Sequence, residues 1–227
     1  MQPYFFPYIG YWQLIDAADV FVIYDDVNYI KGGWINRNRI LINGEPRYIT
    51  ISLDNASSNK LINQTSLCTE MASKTKILKT LREYYARAPY FVQTYNLVEE
   101  LVLYPNNNLA EYLQNIILRV CEYLGIMTKI EVSSRIDKND RLRGREKVIE
   151  ICKKLGADEY INSIGGIDLY SKDYFYDNGI RLGFLKAGNI QYAQFSYPFV
   201  PNLSIIDVMM HNSVSEIGRM LAMFDMV

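Results

Sequence analysis

The chain has 227 residues, 49% of them hydrophobic and 22% charged, with a net charge of −1. That balance describes one globular domain with a sizeable core and no global basic field to gather DNA. Cys68, Cys121 and Cys152 form no Cys-x-x-Cys pair, and no apolar run approaches 18 residues, so disulfide frameworks, zinc centres, signal peptides and membrane spans are all excluded as expectations.

The opening, Tyr4-Phe5-Phe6-Pro7, reads as a short strand that breaks at proline and turns at Gly10. A helix is predicted over Gly10–Ala18, then a buried strand over Val20–Tyr24 that ends in Asp25-Asp26. Strand, glycine turn, helix and strand make an opening βαβ unit of the nucleotide-binding kind. Residues 25–38 form a polar loop. Asn43-Gly44, between Arg39-Ile40-Leu41-Ile42 and Tyr48-Ile49-Thr50-Ile51, predicts a hairpin. Residues 53–66 read as a polar loop and a candidate lid.

Three helices are predicted next: Lys74–Arg87, capped by Ser73; Tyr90–Tyr104, stopped by Pro105; and Leu109–Leu124, capped by Asn108 and closed by Gly125. They read as a helical insertion over about residues 74–125 of a single α/β domain spanning 1–227. A strand at 129–133, a basic segment at 134–145, a helix at 146–155, a strand at 159–162, a short helix at 171–178 and a strand at 180–186 follow. This alternation predicts a Rossmann-like, mostly parallel sheet. Residues 204–210 and 213–224 complete the chain as two short helices.

Chemistry concentrates at three places. Asp25, Asp26, Asn28, Lys31, Asn36, Arg37 and Asn38 form the densest polar group at a strand end, with Tyr29 and Trp34 as aromatic platforms. Planar carboxylate, amide and guanidinium groups beside aromatic rings suit a sugar, and a carboxylate here can accept a proton from an attacking amine. The adjacent aspartates repel, so a partner such as Lys31, Arg37 or a substrate amine is expected. Asp25, Asp26 and Lys31 are the catalytic candidates, with a structural loop that pins the hairpin to the sheet as the alternative.

The turn Asn162-Ser163-Ile164-Gly165-Gly166 lets backbone N–H groups approach a phosphate, with a plain turn as the alternative. Arg141 and Arg143 lie in the basic segment and match a pyrophosphate or a tRNA backbone, or else pair with Asp137 and Asp140. His211 is the single histidine and reads as structural; no metal centre is expected.

The order of elements resembles that of nucleotidylyltransferases and class I synthetases. Their His-x-Gly-His turn is here Tyr8-Ile9-Gly10-Tyr11, which argues against nucleotidyl transfer by that chemistry. A longer resemblance is carried by Gln2 through Tyr11, Tyr24 through Lys31, Gly33 through Ile40, Tyr160 through Gly166, and Pro201 through Asp207. On these blocks the chain resembles the WbqC-like family.

The resemblance implies a cytoplasmic bacterial protein of surface-polysaccharide (O-antigen) biosynthesis. It also implies transfer of an aminoacyl group such as glycyl to an amino sugar. Relatives carry apolar residues before Gln-Pro, so a short first strand or an upstream start is expected. Gln2, Tyr4, Tyr8, Gly10 and Tyr11 join Asn28, Tyr29, Trp34, Asn36, Arg37, Asn38, Asn162, Ser163, Gly165 and Gly166 as substrate-binding candidates. The leading expectation is an acyl- or aminoacyltransferase acting on a nucleotide-linked amino sugar, with an aminoacyl-tRNA as a possible donor and no cofactor. A catalytically silent nucleotide-sugar binding module is the rival, and a glycosyltransferase using the acidic pair ranks third.

Overall fold

The computed structural model describes residues 1–195 and 198–227. The opening segment forms no strand over Tyr4–Phe6 and bends at Phe5 and Phe6. Phe6 takes a left-handed φ of 43°. Its carbonyl is met by side chains instead of a ladder: Asn38 Nδ2 donates at 2.8 Å and Ser204 Oγ at 2.7 Å. Asn38 Nδ2 also reaches the Phe5 carbonyl at 3.1 Å. Met1 lies beside the strand residues Val20–Ile23, its amine donating to the Val22 carbonyl and its own carbonyl accepting from Tyr24 N, while Tyr8 makes an isolated antiparallel bridge with Ser204.

Helix α1, Ile9–Asp16, is buried over Ile9–Ile15. A helix apolar nearly all round belongs inside a core. The Trp12 indole donates to the Pro7 carbonyl at 3.0 Å, which fixes the entry of the chain into the helix. Gln13, the polar residue on the buried surface, donates to the Met220 and Met223 carbonyls at 2.8 Å each.

Strand β1, Val20–Ile23, pairs in parallel with β6, Lys129–Val132. Strands β2, Arg37–Ile42, and β3, Glu45–Thr50, form the expected hairpin, with Asn43 and Gly44 both at positive φ as a two-residue turn requires. Strands β4, Leu53–Asp54, and β5, Ser66–Leu67, pair antiparallel. Helices α2, Ala72–Tyr85, α3, Phe91–Leu103, and α4, Leu109–Leu124, follow. Asn108 and Gly125 cap α4 as expected. Ser73 does not cap α2; its hydroxyl accepts from Ser52 N.

Helix α5, Gly144–Leu155, leads to β7, Glu159–Ser163; helix α6, Lys172–Tyr176, leads to β8, Arg181–Ala187. Helices α7, Ile205–His211, and α8, Val214–Leu221, precede β9, Phe224–Met226; the last helix, expected to reach Phe224, stops at Leu221.

The architecture is mixed α/β, but the single Rossmann-like sheet expected from the alternation is divided. β7 and β8 pair in parallel across α6 and β9 adds antiparallel to β8, while β1–β6 forms a separate parallel pair. Helices α1 to α4, α7 and α8 share one large apolar core with the hairpin. A smaller cluster of Val148, Ile149, Cys152, Phe175, Ile180, Leu182 and Phe184 joins α5 and α6 to β7 and β8.

Candidate functional site

β1 and β6 end side by side, and their carboxyl ends are where an open parallel pair presents a ligand site. Asp25 leaves β1 and is buried. It caps the turn after β6, accepting from Ser134 N at 2.9 Å and Ser134 Oγ at 2.6 Å, and Asn63 Nδ2 approaches at 3.3 Å. The segment expected to be a lid is fastened here instead. Its Asn63 N and Ile62 N donate to the Asp25 and Val27 carbonyls, and Tyr29 N donates to the Lys60 carbonyl.

Asp26 turns the other way. Its carboxylate lies 2.9 Å from both Lys138 Nζ and Lys147 Nζ and accepts from Ser133 Oγ at 2.7 Å. Both lysine side chains are at most 3% exposed. Burial opposes the Asp26 charge, but the bonds from Lys147, Ser133 and Lys138 outweigh it and hold its carboxyl below the usual range. Two ammonium groups on one carboxylate leave an excess of positive charge. The Tyr24 ring lies 5.0 Å from Lys147 Nζ.

A cavity of about 160 Å³ opens beside Asp25, floored by Ile23 and Val132. Its polar wall is Asp25, Asn63, Asn108, Glu111, Gln114, Ser134 and Arg135. Sequence reasoning offered Asp25 there as a site residue and Arg135 only as part of the basic segment. Asn108 was legible only as a helix cap, and Glu111 and Gln114 follow it on the next turns of α4, so their spacing from the cap was the available signal.

The other candidates disperse. Lys31 is exposed and pairs with neither aspartate among the described residues. Arg37 donates to the Gly33 and Gly32 carbonyls and lies 4.4 Å from the Tyr48 ring. Trp34 stacks loosely on Tyr48 at 6.0 Å, with Arg39 over its ring, giving the hairpin an exposed aromatic face whose Tyr48 was not foreseen.

Asn28 donates to the Ser58 carbonyl, Asn36 accepts from Tyr29 Oη and donates to the Ile51 carbonyl, and Asn38 holds the opening segment. These amides fasten the loop. Tyr11 is wholly buried and donates to the Gln2 carbonyl, while Tyr4 is half-buried against it. Gly10 makes room for the Tyr8 ring, since a Cβ there would come within 2.5 Å of it. Tyr8 itself lines a different cavity.

The turn expected over 162–166 is divided: Asn162 and Ser163 end β7, and Ile164–Leu169 is a 3-10 helix; Asn162 Oδ1 accepts from Ser163 N, the Asn162 amide fills the space beside Gly166, and Gly165 is open. Arg143 folds back onto the Asp140 and Leu142 carbonyls, and Arg141 is exposed. Burial pushes the Cys121 thiol up to about 12 and the Cys152 thiol to about 11, which leaves both inert. Among the described residues no helix is long and apolar enough to cross a membrane.

His211 packs among Tyr85, Tyr192 and Phe195. Burial lowers its pKa from the ordinary 6.5, against an upward pull from Asp207. The unfolded chain therefore takes up this proton at higher pH than the folded protein. Stability is whole above about pH 6.5 and falls as pH drops through that value toward the folded pKa. Urea unfolding of His211→Gln should show a flatter stability profile between about pH 7 and 5 than the parent; an unchanged slope would place the acid sensitivity elsewhere.

A sequence model described as the WbqC-like protein family matches residues 2–218. The chain is also similar to the uncharacterized protein Rv1507c of Mycobacterium tuberculosis, at 26% identity over 212 residues, covering 92% of this chain and 90% of that one. No solved structure matches.

Proposed function

Since the chain belongs to the WbqC-like protein family, we propose that it transfers an acyl or aminoacyl group to the amine of a nucleotide-linked amino sugar in bacterial surface-polysaccharide synthesis. The observation that carries this reading is the cavity at the ends of β1 and β6. It sets the carboxylates Asp25 and Glu111 and the carboxamides Asn63, Asn108 and Gln114 around a space of about 160 Å³. That donor and acceptor set fits one amine-bearing sugar ring, and the volume lies below that of pockets for larger ligands. Arg135 at its wall suits the adjoining phosphate.

In this reading the amine nitrogen attacks the carbonyl of an activated donor. The N–C bond forms, the bond from carbonyl to leaving group breaks, and Asp25 takes the amine proton and returns it to the leaving group. Asp26 holds Lys138 and Lys147 in place. A binding module without turnover is the second reading. It is favoured by Asp25 being already bonded to Ser134 and approached by Asn63.

Gln114 and Arg135 make no side-chain hydrogen bond among the described residues, so Gln114→Leu and Arg135→Ala test the cavity without dismantling it. A nucleotide-linked 4-amino sugar at 100 times its Kd should stabilise the parent by about 2.7 kcal/mol. The 4-hydroxy counterpart should stabilise it less, and both variants should lose the response. Equal response to both sugars would end the amine assignment. Amine-selective binding with no transfer from any acyl donor would favour the binding module.

A further inference from the structure

Asp207 sits in the first turn of α7 and is wholly buried. Its carboxylate accepts from Tyr85 Oη at 2.5 Å, Tyr192 Oη at 2.7 Å and Gln194 Nε2 at 3.0 Å. Tyr85 Oη itself accepts from Leu41 N at 2.8 Å, so its single proton points at Asp207. Three neutral donors converge on an acceptor-only group, which is the pattern of an ionised carboxylate. Among the described residues no lysine or arginine pairs with it. The charge is therefore hydrogen-bonded but not neutralised.

Tyr192 connects this carboxylate to a second cavity of about 260 Å³, which shares no lining residue with the first. Its hydroxyl is on Asp207 and the residue itself lines the cavity. Tyr8 and Phe199 add aromatic wall, with Phe199 set edge-on to Tyr192 at 5.1 Å. Asn189 and Asn202 bring carboxamides, and Asn202 is held in the left-handed region at φ 57°. Aromatic faces attract cations, and the attraction grows where water is excluded. A buried negative charge at the hydroxyl edge of one of those rings acts in the same direction across a medium of low dielectric. Carboxamide oxygens accept N–H bonds.

We infer that this second cavity binds a small organic cation, a protonated primary amine carried on a single compact ring. The aromatic walls hold the ring and the cation, and Asp207 supplies the charge that selects it over a neutral molecule of the same shape.

Cyclohexylammonium and cyclohexanol are the probes, titrated at pH 8 into the full chain labelled with ¹⁵N and followed by the side-chain amide signals of Asn189 and Asn202. Cyclohexylammonium should bind at least about tenfold more tightly than cyclohexanol, a difference of about 1.4 kcal/mol. Asp207→Asn should bring the two within about threefold of each other. Because that variant disturbs a buried network, Tyr8→Leu provides the second arm. It leaves the bonds to Asp207 in place and should weaken cyclohexylammonium binding by about fivefold or more. Equal binding of the two probes, shifts confined to amides outside this cavity, or an unaffected Tyr8→Leu would each overturn the inference. The first cavity's sugar plays no part in this test, so the two assignments stand or fall separately.

Discussion

Asp26→Asn is expected to destabilise the protein by about 3–5 kcal/mol, the usual cost of breaking a buried ion pair from one side. The substitution keeps the shape but removes the charge that compensates both Lys138 and Lys147, each nearly without solvent. Lys147 retains the Asp26 carbonyl and Lys138 the Ser133 and Ile136 carbonyls as neutral acceptors. Neutral acceptors do not replace a counter-charge for two buried ammonium groups. Urea unfolding reads the change as a lower midpoint at constant slope. Replacing all three members at once, Asp26→Asn with Lys138→Met and Lys147→Met, should recover much of the loss, because exchanging a whole buried ionic group for apolar atoms is often close to neutral. A loss below about 1 kcal/mol in the single variant would mean that water reaches the lysines and that the cluster is a surface pair in effect.

Trp12→Ala should cost about 3–5 kcal/mol, the range for removing a large aromatic side chain from a core. Trp12 has no exposed surface and packs edge-on to Tyr11 at 6.1 Å. Its indole also holds the Pro7 carbonyl. Trp12→Phe separates the two contributions: it keeps most of the apolar volume and loses the hydrogen bond, which is worth about 1 kcal/mol. Thermal unfolding of the pair should therefore show a much larger fall for alanine than for phenylalanine. Similar falls in both would mean that the indole bond, and not the volume, governs the entry into α1.

The sequence made some of this legible and hid the rest for identifiable reasons. Local signals held where one residue type decides the backbone: Asn43-Gly44 for the hairpin, Asn108 and Gly125 for the ends of α4. The opening strand failed because Phe6 bends and its carbonyl finds Asn38 and Ser204, residues far along the chain that no local pattern reveals. The single sheet failed because alternation of strands and helices does not state which strands are neighbours; β6 found β1 and left β7 to β8.

At the site, the strand end carrying Asp25 and Asp26 was found by its acids. Their partners were missed, since Lys138 and Lys147 sit more than 100 residues away and no local pattern ties them to the strand end. Asn63 was hidden in a stretch whose polarity looked like mobility. Its backbone bonds to Asp25 make it part of the cavity wall.

The bonds from Gln13 to Met220 and Met223 bear on how the chain is made. They join residues 207 and 210 positions apart. At a synthesis rate of about 5–20 residues per second, α1 waits roughly 10–40 s for the carbonyls that satisfy it. Throughout that interval its apolar surface and the aromatic residues before it lack their final cover. Contacts this distant in sequence also slow folding once the chain is released. The N-terminal aromatic stretch is thus the part of the nascent chain with the longest exposure to chaperones and to other unfinished copies. A ribosome-bound chain halted before Ser204 should leave Trp12 open to solvent quenchers that the finished protein excludes.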